Sequence, residues 1–450
     1  MANTYLQRTV GTPTNAQKYT YSFWIKRCKL SGGSTELFLL DGYADSSNRA
    51  KIAFNSNEVF EIWNSNAGSF TFQLSPPRKF RDTNAWYHII LSVDTTQSTA
   101  SDRVKLYVNG VQETSLGSTT YPSLNDANNT INESGTTFSI MAYGGNASSN
   151  DFRLSSIMSH IHFTDGYAYD ASTFGETDAT TGIWKPKTAP SVTYGTNGFF
   201  LKFESSGSMG LDSSGNANNF TVSGNLTQTV DTPSNVFVTF NPLDTTRTSS
   251  AIPLFQNGNT TAYNAASDGS YLASTMAVNK GKWYAEFKVG AGANTRNFGI
   301  LDVTSSLAYI GHPTSGSATN SYAYNSLAGG GLLRDGNTEI ASSVGTTTNG
   351  DIVSVMIDLD SATKTIKFQK NGVDLSGTTQ MTISQSSDTY WIFALRADGD
   401  QYVYANFGNG YFGTTAVSSA TTDESGLGIF EYTVPSGYYA LCTKNINTQG

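Results

Sequence analysis

Apolar and polar residues alternate with a period of two along most of the chain. In Tyr19-Thr20-Tyr21-Ser22-Phe23-Trp24-Ile25-Lys26, the residues Tyr19, Tyr21, Phe23 and Ile25 fall on one face, the pattern of a half-buried β-strand. Ile89, Leu91 and Val93 repeat it, and so do Val104, Leu106 and Val108. Asn109-Gly110 follows, a dipeptide that tolerates positive φ and suits a tight hairpin turn. The second half reuses the device. Val353, Val355, Ile357 and Leu359 alternate, then Ile366 and Phe368, and Asn371-Gly372 closes the hairpin. No stretch shows an amphipathic helical period over more than about two turns. The pattern predicts an all-β chain of two β-sandwiches in series.

At 450 residues the chain is long enough for two or three domains. The expected division is a first sandwich over 1–195, a connecting segment over 196–245 that is partly strand, and a second sandwich over 246–450. Ser205-Ser206-Gly207-Ser208-Met209-Gly210 and Asp212-Ser213-Ser214-Gly215-Asn216 lie in the connection. Their small polar residues predict a linker that proteases cut between Ser205 and Gly224.

Composition narrows the function classes. Charged residues are only 14% of the chain and the net charge is −8. Lys and Arg never form a run, so the electrostatic footprint of a nucleic-acid binder is missing. No apolar stretch approaches the roughly 20 residues of a membrane span. Met1 to Arg8 lacks the apolar core of a secretory signal. Two cysteines, Cys28 and Cys442, are too few for a disulfide scaffold.

Residues 19–27 (YTYSFWIKR), 86–94 (WYHIILSVD), 103–111 (RVKLYVNGV) and 157–166 (IMSHIHFTDG) run in an order that resembles laminin-G-like, concanavalin A-like lectin domains. Residues 281–287 (GKWYAEF), 350–360 (GDIVSVMIDLD), 364–373 (KTIKFQKNGV) and 406–412 (NFGNGYF) resemble a SPRY domain. The connecting motifs are similar to those of structural proteins of tailed, especially marine, bacteriophages. They are Phe174-Gly175-Glu176, Gly182-Ile183-Trp184-Lys185-Pro186, Tyr194-Gly195-Thr196-Asn197-Gly198-Phe199, Asp212 to Asn216, Asp231-Thr232-Pro233 and residues 435–445. This resemblance implies a concanavalin A-like sandwich followed by a SPRY-like sandwich, on a virion surface as a tail fibre, spike or capsid decoration. It implies a protein made in the host cytoplasm that binds host-surface glycans or other virion proteins, as a homo-oligomer with a trimer as first expectation. An architectural component without a ligand and a polysaccharide depolymerase are the alternatives.

Catalytic patterns are sparse. A retaining glycosidase needs two carboxyls about 5–5.5 Å apart, and no acidic run supplies them on a strand. Asp358-Leu359-Asp360 and Asp423-Glu424 read as solvated turn carboxylates. His160-Ile161-His162 resembles part of an alginate-lyase strand, but Ser159 precedes it and the companion motifs are missing. His160, His162 and His88 are expected to be structural, and His312 shows no ligand spacing. No cofactor is expected. Calcium is the one candidate metal, with Asp41, Asp45, Asp126 and Asp151 as hard oxygen donors. Candidate sugar contacts combine an aromatic ring with a polar neighbour: Trp63 with Asn64, Tyr143 with Asn146, and Tyr324 with Arg334 and Asp335. Trp24, Trp86, Trp283 and Trp391 sit in strand patterns and are expected in the cores.

Overall fold

A computed structural model describes residues 4–30, 37–144, 155–244, 253–264, 270–292, 296–305, 310, 320–326, 330–377, 380–397 and 399–450. Among them strands dominate, and the two α-helices, Ala171–Phe174 and Thr443–Gln449, are short. The chain is nearly all β, as its alternation dictates. It divides into two compact units, Met1–Gln228 and Thr229–Gly450.

The first unit is a sandwich of two sheets. One has eight strands, in the spatial order Ser118–Thr120, Ser69–Ser75, Phe60–Asn66, Arg49–Phe54, Leu37–Tyr43, Thr137–Ile140, Tyr5–Thr9, Thr221–Ser223. The other has six, in the order Phe199–Leu201, Ser156–Asp165, Lys18–Arg27, Trp86–Asp94, Val104–Val108, Val111–Gln112. Tyr19, Tyr21, Phe23 and Ile25 face inward and join Ile52, Phe54 and Ile62 in one apolar core. The period-two pattern therefore sets which face is buried, because a one-residue slip would turn all four outward.

The second unit repeats the plan. Its larger sheet runs Leu254–Gln256, Thr261–Asn264, Gln401–Asn406, Lys282–Val289, Ile352–Asp358, Thr365–Lys370, Val373–Asp374, with Gln380–Thr382 and Tyr439–Ala440 beside it. Its six-stranded sheet runs Ser270–Ala273, Trp391–Ala397, Arg296–Asp302, Ser321–Asn325, Leu332–Asp335, Thr338–Ser342. Trp283, Phe287, Phe298, Phe368 and Trp391 fill the space between them.

The observed division differs from the expected bounds at 195 and 246, and burial gives the reason. Phe199, Leu201 and Phe220 belong to the first core. Thr221–Ser223 pairs antiparallel with the N-terminal strand Tyr5–Thr9. Asp212, 7% exposed, accepts from the backbone N–H groups of Phe200, Ser214 and Asn218 at 2.8–2.9 Å. The Ser214 hydroxyl donates to it as well. The Asp-Ser-Ser-Gly-Asn stretch is thus a loop wound around one carboxylate, and the segment read as a linker is built into the first sandwich. Val238 and Phe240 sit in the second core, ahead of its expected start.

Each unit also covers the outer face of one sheet with a later stretch of chain. In the first, Phe174, Trp184 and Val192 lie over Ile90. In the second, Phe430, Ala440 and Cys442 lie over Tyr284 and Met356. Both covers seat an aromatic ring on the glycine of an Asn-Gly turn. A Cβ on Gly110 (φ +83) would come within 2.9 Å of the Trp184 ring, and one on Gly372 (φ +75) within 2.6 Å of Tyr432. The two hairpins share more. Asn109 Oδ1 accepts from His88 N, and Asn371 Oδ1 from Ile352 N, both at 2.8 Å. Lys18 pairs with Asp94 at 3.1 Å, and Lys282 with Asp358 at 2.9 Å.

Candidate functional site: an aromatic–cationic face on the first unit

The strand Arg49–Phe54 turns Ala50, Ile52 and Phe54 into the core, so Arg49 and Lys51 project from the opposite face of the eight-stranded sheet. On its neighbours, the same alternation brings Asp41 and Trp63 beside Lys51 as register partners. The Arg49 guanidinium carbon lies 4.5 Å from the Tyr143 ring centroid, 5.2 Å from Trp63 and 5.4 Å from Phe38. Lys51 Nζ lies 5.0 Å from the Trp63 centroid. Such cation–aromatic contacts hold long side chains in place and flatten the surface they form. Phe70, 52% exposed, extends the face 5.3 Å beyond Trp63.

Each cation has its own carboxylate. Arg49 donates to Asp41 Oδ1 at 2.9 Å, and Lys51 to Glu61 Oε2 at 3.2 Å. Burial pushes the Asp41 carboxyl up to about 6, against the pull of Arg49 and of the Gly144 N–H that donates to it. The face therefore offers ring surfaces bordered by the partly exposed Arg49 and Glu61, over a buried Asp41 and Lys51, with its charges balanced.

Two of the sequence-chosen aromatics, Trp63 and Tyr143, meet through Arg49. Their chosen neighbours do not join them. Asn64 is 1% exposed. It turns inward to donate to Thr71 Oγ1 and Asn128 O while accepting from Thr130 N, which pins the 128–130 loop. Asn146 lies outside the described residues. Arg49 and Lys51 were missed, although two cations alternating with core residues in Arg49-Ala50-Lys51-Ile52 carried the signal.

The second candidate group is not a site. Tyr324 is buried in the core of the second unit and donates its hydroxyl to Gly345 O at 2.6 Å. Arg334 pairs across the sheet with Ala323 and reaches Glu339 at 3.8 Å, away from the Tyr324 ring. Asp335 lies opposite Tyr322, half-buried, and burial raises its carboxyl.

The three described histidines, His88, His160 and His162, are packed side chains. His88, 1% exposed, stacks on Trp24 at 4.5 Å and 3°. Its Nδ1 accepts from Trp184 Nε1 at 2.9 Å, and its Nε2 lies 2.9 Å from Ser22 Oγ. Burial holds it neutral, near 3. The serine beside it is fully buried and the third partner is an indole N–H, so the pair lacks the carboxylate and the access of a catalytic triad. His162 stacks on Phe200 at 3.8 Å and bonds Tyr194 Oη at 2.9 Å. His160 (φ +47) sits in a bulge against the same ring and bonds Ser159 Oγ. Trp24 is buried on the outer face, beneath the cover, and not in the core between the sheets.

The acidic turns are also structural. Asp423, expected in solvent, is 4% exposed and accepts from Leu427 N, Gly428 N, Ala440 N and Asn445 Nδ2. Asp358 is 8% exposed and held by Lys282 and Ser361. Of the calcium candidates, Asp41 is taken by Arg49, Asp45 by Ser47 N and Asn48 N, and Asp126 by Asn128 N. Asp151 and His312 lie outside the described residues. Among the described residues no group of three or more His, Cys, Asp or Glu is placed to hold a metal ion. No helix among them is long and apolar enough to cross a membrane.

Residues 2–150 match the family profile described as "Concanavalin A-like lectin/glucanases superfamily". No curated protein matches the sequence. Among solved structures, the chain is similar to the SPRY domain of human HERC1, at 17% identity and TM-score 0.30, over 37% of this chain and 96% of that one. It is similar to the native heptameric SAP-like pentraxin of Limulus polyphemus, at 16% identity and TM-score 0.28, over 37% and 72%. The PSpry domain of TRIM65 matches at 8% identity and TM-score 0.29, over 38% and 88%. A concanavalin A-like lectin-type fold is compatible with binding either carbohydrate or protein.

Proposed function

We propose that this chain is a non-enzymatic binding protein on the outer surface of a tailed-phage particle, holding a host-surface glycan on the Arg49–Trp63–Tyr143 face. The observation that carries the reading is that face itself: rings of Trp63 and Phe70 beside cations fixed by Asp41 and Glu61. Sugar C–H faces stack on such rings, and bordering polar groups read the hydroxyls. Balanced charge favours a neutral glycan over a polyanion. The virion setting rests on the connecting motifs and their resemblance to phage structural proteins. The motifs between Phe174 and Asn216 form the cover and the Asp212 loop of the first unit, and Asp231-Thr232-Pro233 and residues 435–445 belong to the second. A homo-oligomer, with a trimer as the first form to test, would raise weak single contacts by avidity of roughly 10²–10⁴.

A glycan array with the intact protein and with Trp63→Ala tests the binding. The reading expects a neutral glycan bound by the former and weakened about tenfold or more in the variant, since one lost stacking contact is worth about 1.4 kcal/mol. Antibody labelling of purified particles and sedimentation test the setting, with absence from particles as the overturning result. Release of reducing ends from host polysaccharide would replace a binding role with depolymerase activity.

A further inference from the structure

The second unit carries a strip of three tyrosines on the outer face of its larger sheet. Val403 and Ala405 of Gln401–Asn406 enter the core, so Tyr402 and Tyr404 project the other way. Their ring planes are nearly parallel, 7° apart with centroids 6.1 Å apart. Tyr263, the register partner of Tyr402, faces it at 4.4 Å and 28°. All three are half-buried. Leu254, 60% exposed, continues the row at the sheet edge as the partner of Tyr263.

Glycine backbone packs closely against the strip. Gly290 backs onto Tyr402, where a Cβ would come within 2.5 Å of the tyrosine Cβ. Gly413 (φ +66) passes beside Tyr404, where a Cβ would lie 3.2 Å from the ring. Polar groups border the strip. Asp400 accepts the Tyr263 hydroxyl, and Asn257 donates to Thr261 Oγ1 at 3.0 Å beside Tyr404. Lys288, the register partner of Tyr404, lies over Phe412 and within electrostatic reach of Glu431. The local charge is thus Lys288 against Asp400 and Glu431, which repels polyanions.

We propose that this strip is a second carbohydrate site, one that takes an uncharged polysaccharide chain lying along Gln401–Asn406. Two side-by-side rings on one strand suit consecutive sugar units, with stacking as the main attraction and Asp400 and Asn257 as hydroxyl contacts. The site stands apart from the reading of the first unit, since its residues, strand and unit are different.

The test is affinity electrophoresis of the full chain in gels containing laminarin, galactomannan or hydroxyethyl cellulose, with alginate as the charged control. Every variant is made in a Trp63→Ala background, so that failure of the first site and of this one are read separately. The proposal expects at least one neutral polysaccharide to retard the Trp63→Ala chain. Adding Tyr402→Ala or Tyr404→Ala then weakens retention about tenfold, and Tyr404→Phe preserves it because the ring face remains. Circular dichroism confirms that each variant is folded. Retention unchanged by both alanine substitutions, retention by alginate alone, or no retention of the folded Trp63→Ala chain in any neutral gel would overturn it.

Discussion

Arg27 is a fully buried charge in the first unit. It ends the strand Lys18–Arg27 on the core-facing side, with its guanidinium 4.1 Å from the Phe54 ring centroid and 2.7 Å from Glu58. A buried cation that loses its counter-charge keeps its desolvation penalty. Glu58→Gln should therefore destabilise the first unit by about 3 kcal/mol in urea unfolding, while the double variant Arg27→Met/Glu58→Gln, which leaves neither charge buried alone, should cost less. Equal losses in the two variants would mean that packing, and not charge, decides this corner. The residue scale also governs pH. Glu286 of the second unit is fully buried, among the described residues it pairs with no cation, and burial pushes its carboxyl up to about 7, although Glu431 N, Tyr432 N, Asn406 Nδ2 and the Tyr284 hydroxyl all donate to it. An unfolded glutamate ionises near 4.5, so between there and pH 7 the native chain binds the extra proton. The stability this contributes is fully present below about 4.5 and is lost as pH rises through about 7, by about 3 kcal/mol in all. In the first unit, His88, His160 and His162 are held neutral by burial, with pKa values below the usual 6.5. There the unfolded chain takes up protons first, and stability falls as pH drops below about 6.5, partly offset by Asp41. Unfolding followed between pH 7.5 and 5.5 should show the two units moving in opposite directions, and Glu286→Gln should flatten the trend of the second.

At the scale of elements, the covers and the Asn-Gly turns are coupled. Gly110 and Gly372 have positive φ and no room for a Cβ against Trp184 and Tyr432. Gly110→Ala or Gly372→Ala should each cost more than about 1 kcal/mol, because strain and a collision add. Limited proteolysis of Gly110→Ala should open new cuts within 175–192, whereas a loosened linker would be cut near Ser205 to Gly224 in both proteins. The alternation that builds each core was legible in the sequence because one side chain in two faces apolar neighbours, and Tyr19 to Ile25 state that directly. The covers were not. Phe174, Trp184 and Phe430 lie in elements of two to four residues, too short to show a period, and only tertiary contact shows what they shield. The same limit applies to the candidate sites. Trp63 and Tyr143 were readable as rings, but Asn64 beside one of them follows Phe60 and Ile62 at a spacing of two and so turns inward with them, a face that pairing Trp63 with its polar neighbour overlooks. Tyr324 reads like a loop aromatic and is a core residue, since its strand neighbours Tyr322 and Ala323 supply too little contrast to set the face.

For the whole molecule, the boundary at Gln228 has a direct consequence. Residues 1–228 and 229–450, produced separately, should each fold and unfold cooperatively, because each contains its own core and buried hydrogen bonds. A first fragment stopped at 195 loses Phe199, Leu201, Phe220 and the Thr221–Ser223 strand, and should be insoluble or fail to melt cooperatively. A second fragment begun at 246 loses Val238 and Phe240 from its core, with the same result. Circular dichroism melting of the four fragments distinguishes these outcomes.

The late position of each cover also sets a timetable for synthesis. In the second unit, Tyr439–Ala440 pairs in parallel with Trp283 and Tyr284, laid down far earlier, and Asn445 closes over the Asp423 carboxylate. Until those residues leave the ribosome, Tyr284, Met356 and the Glu286 carboxyl stand open to water and to other nascent chains. Loop-closure entropy makes this join slow compared with forming the hairpins. A chain stopped just short of Phe430 would thus have both sheets formed and one face bare. Such a product would be marked for proteolysis or aggregation by the same surface that the finished protein hides.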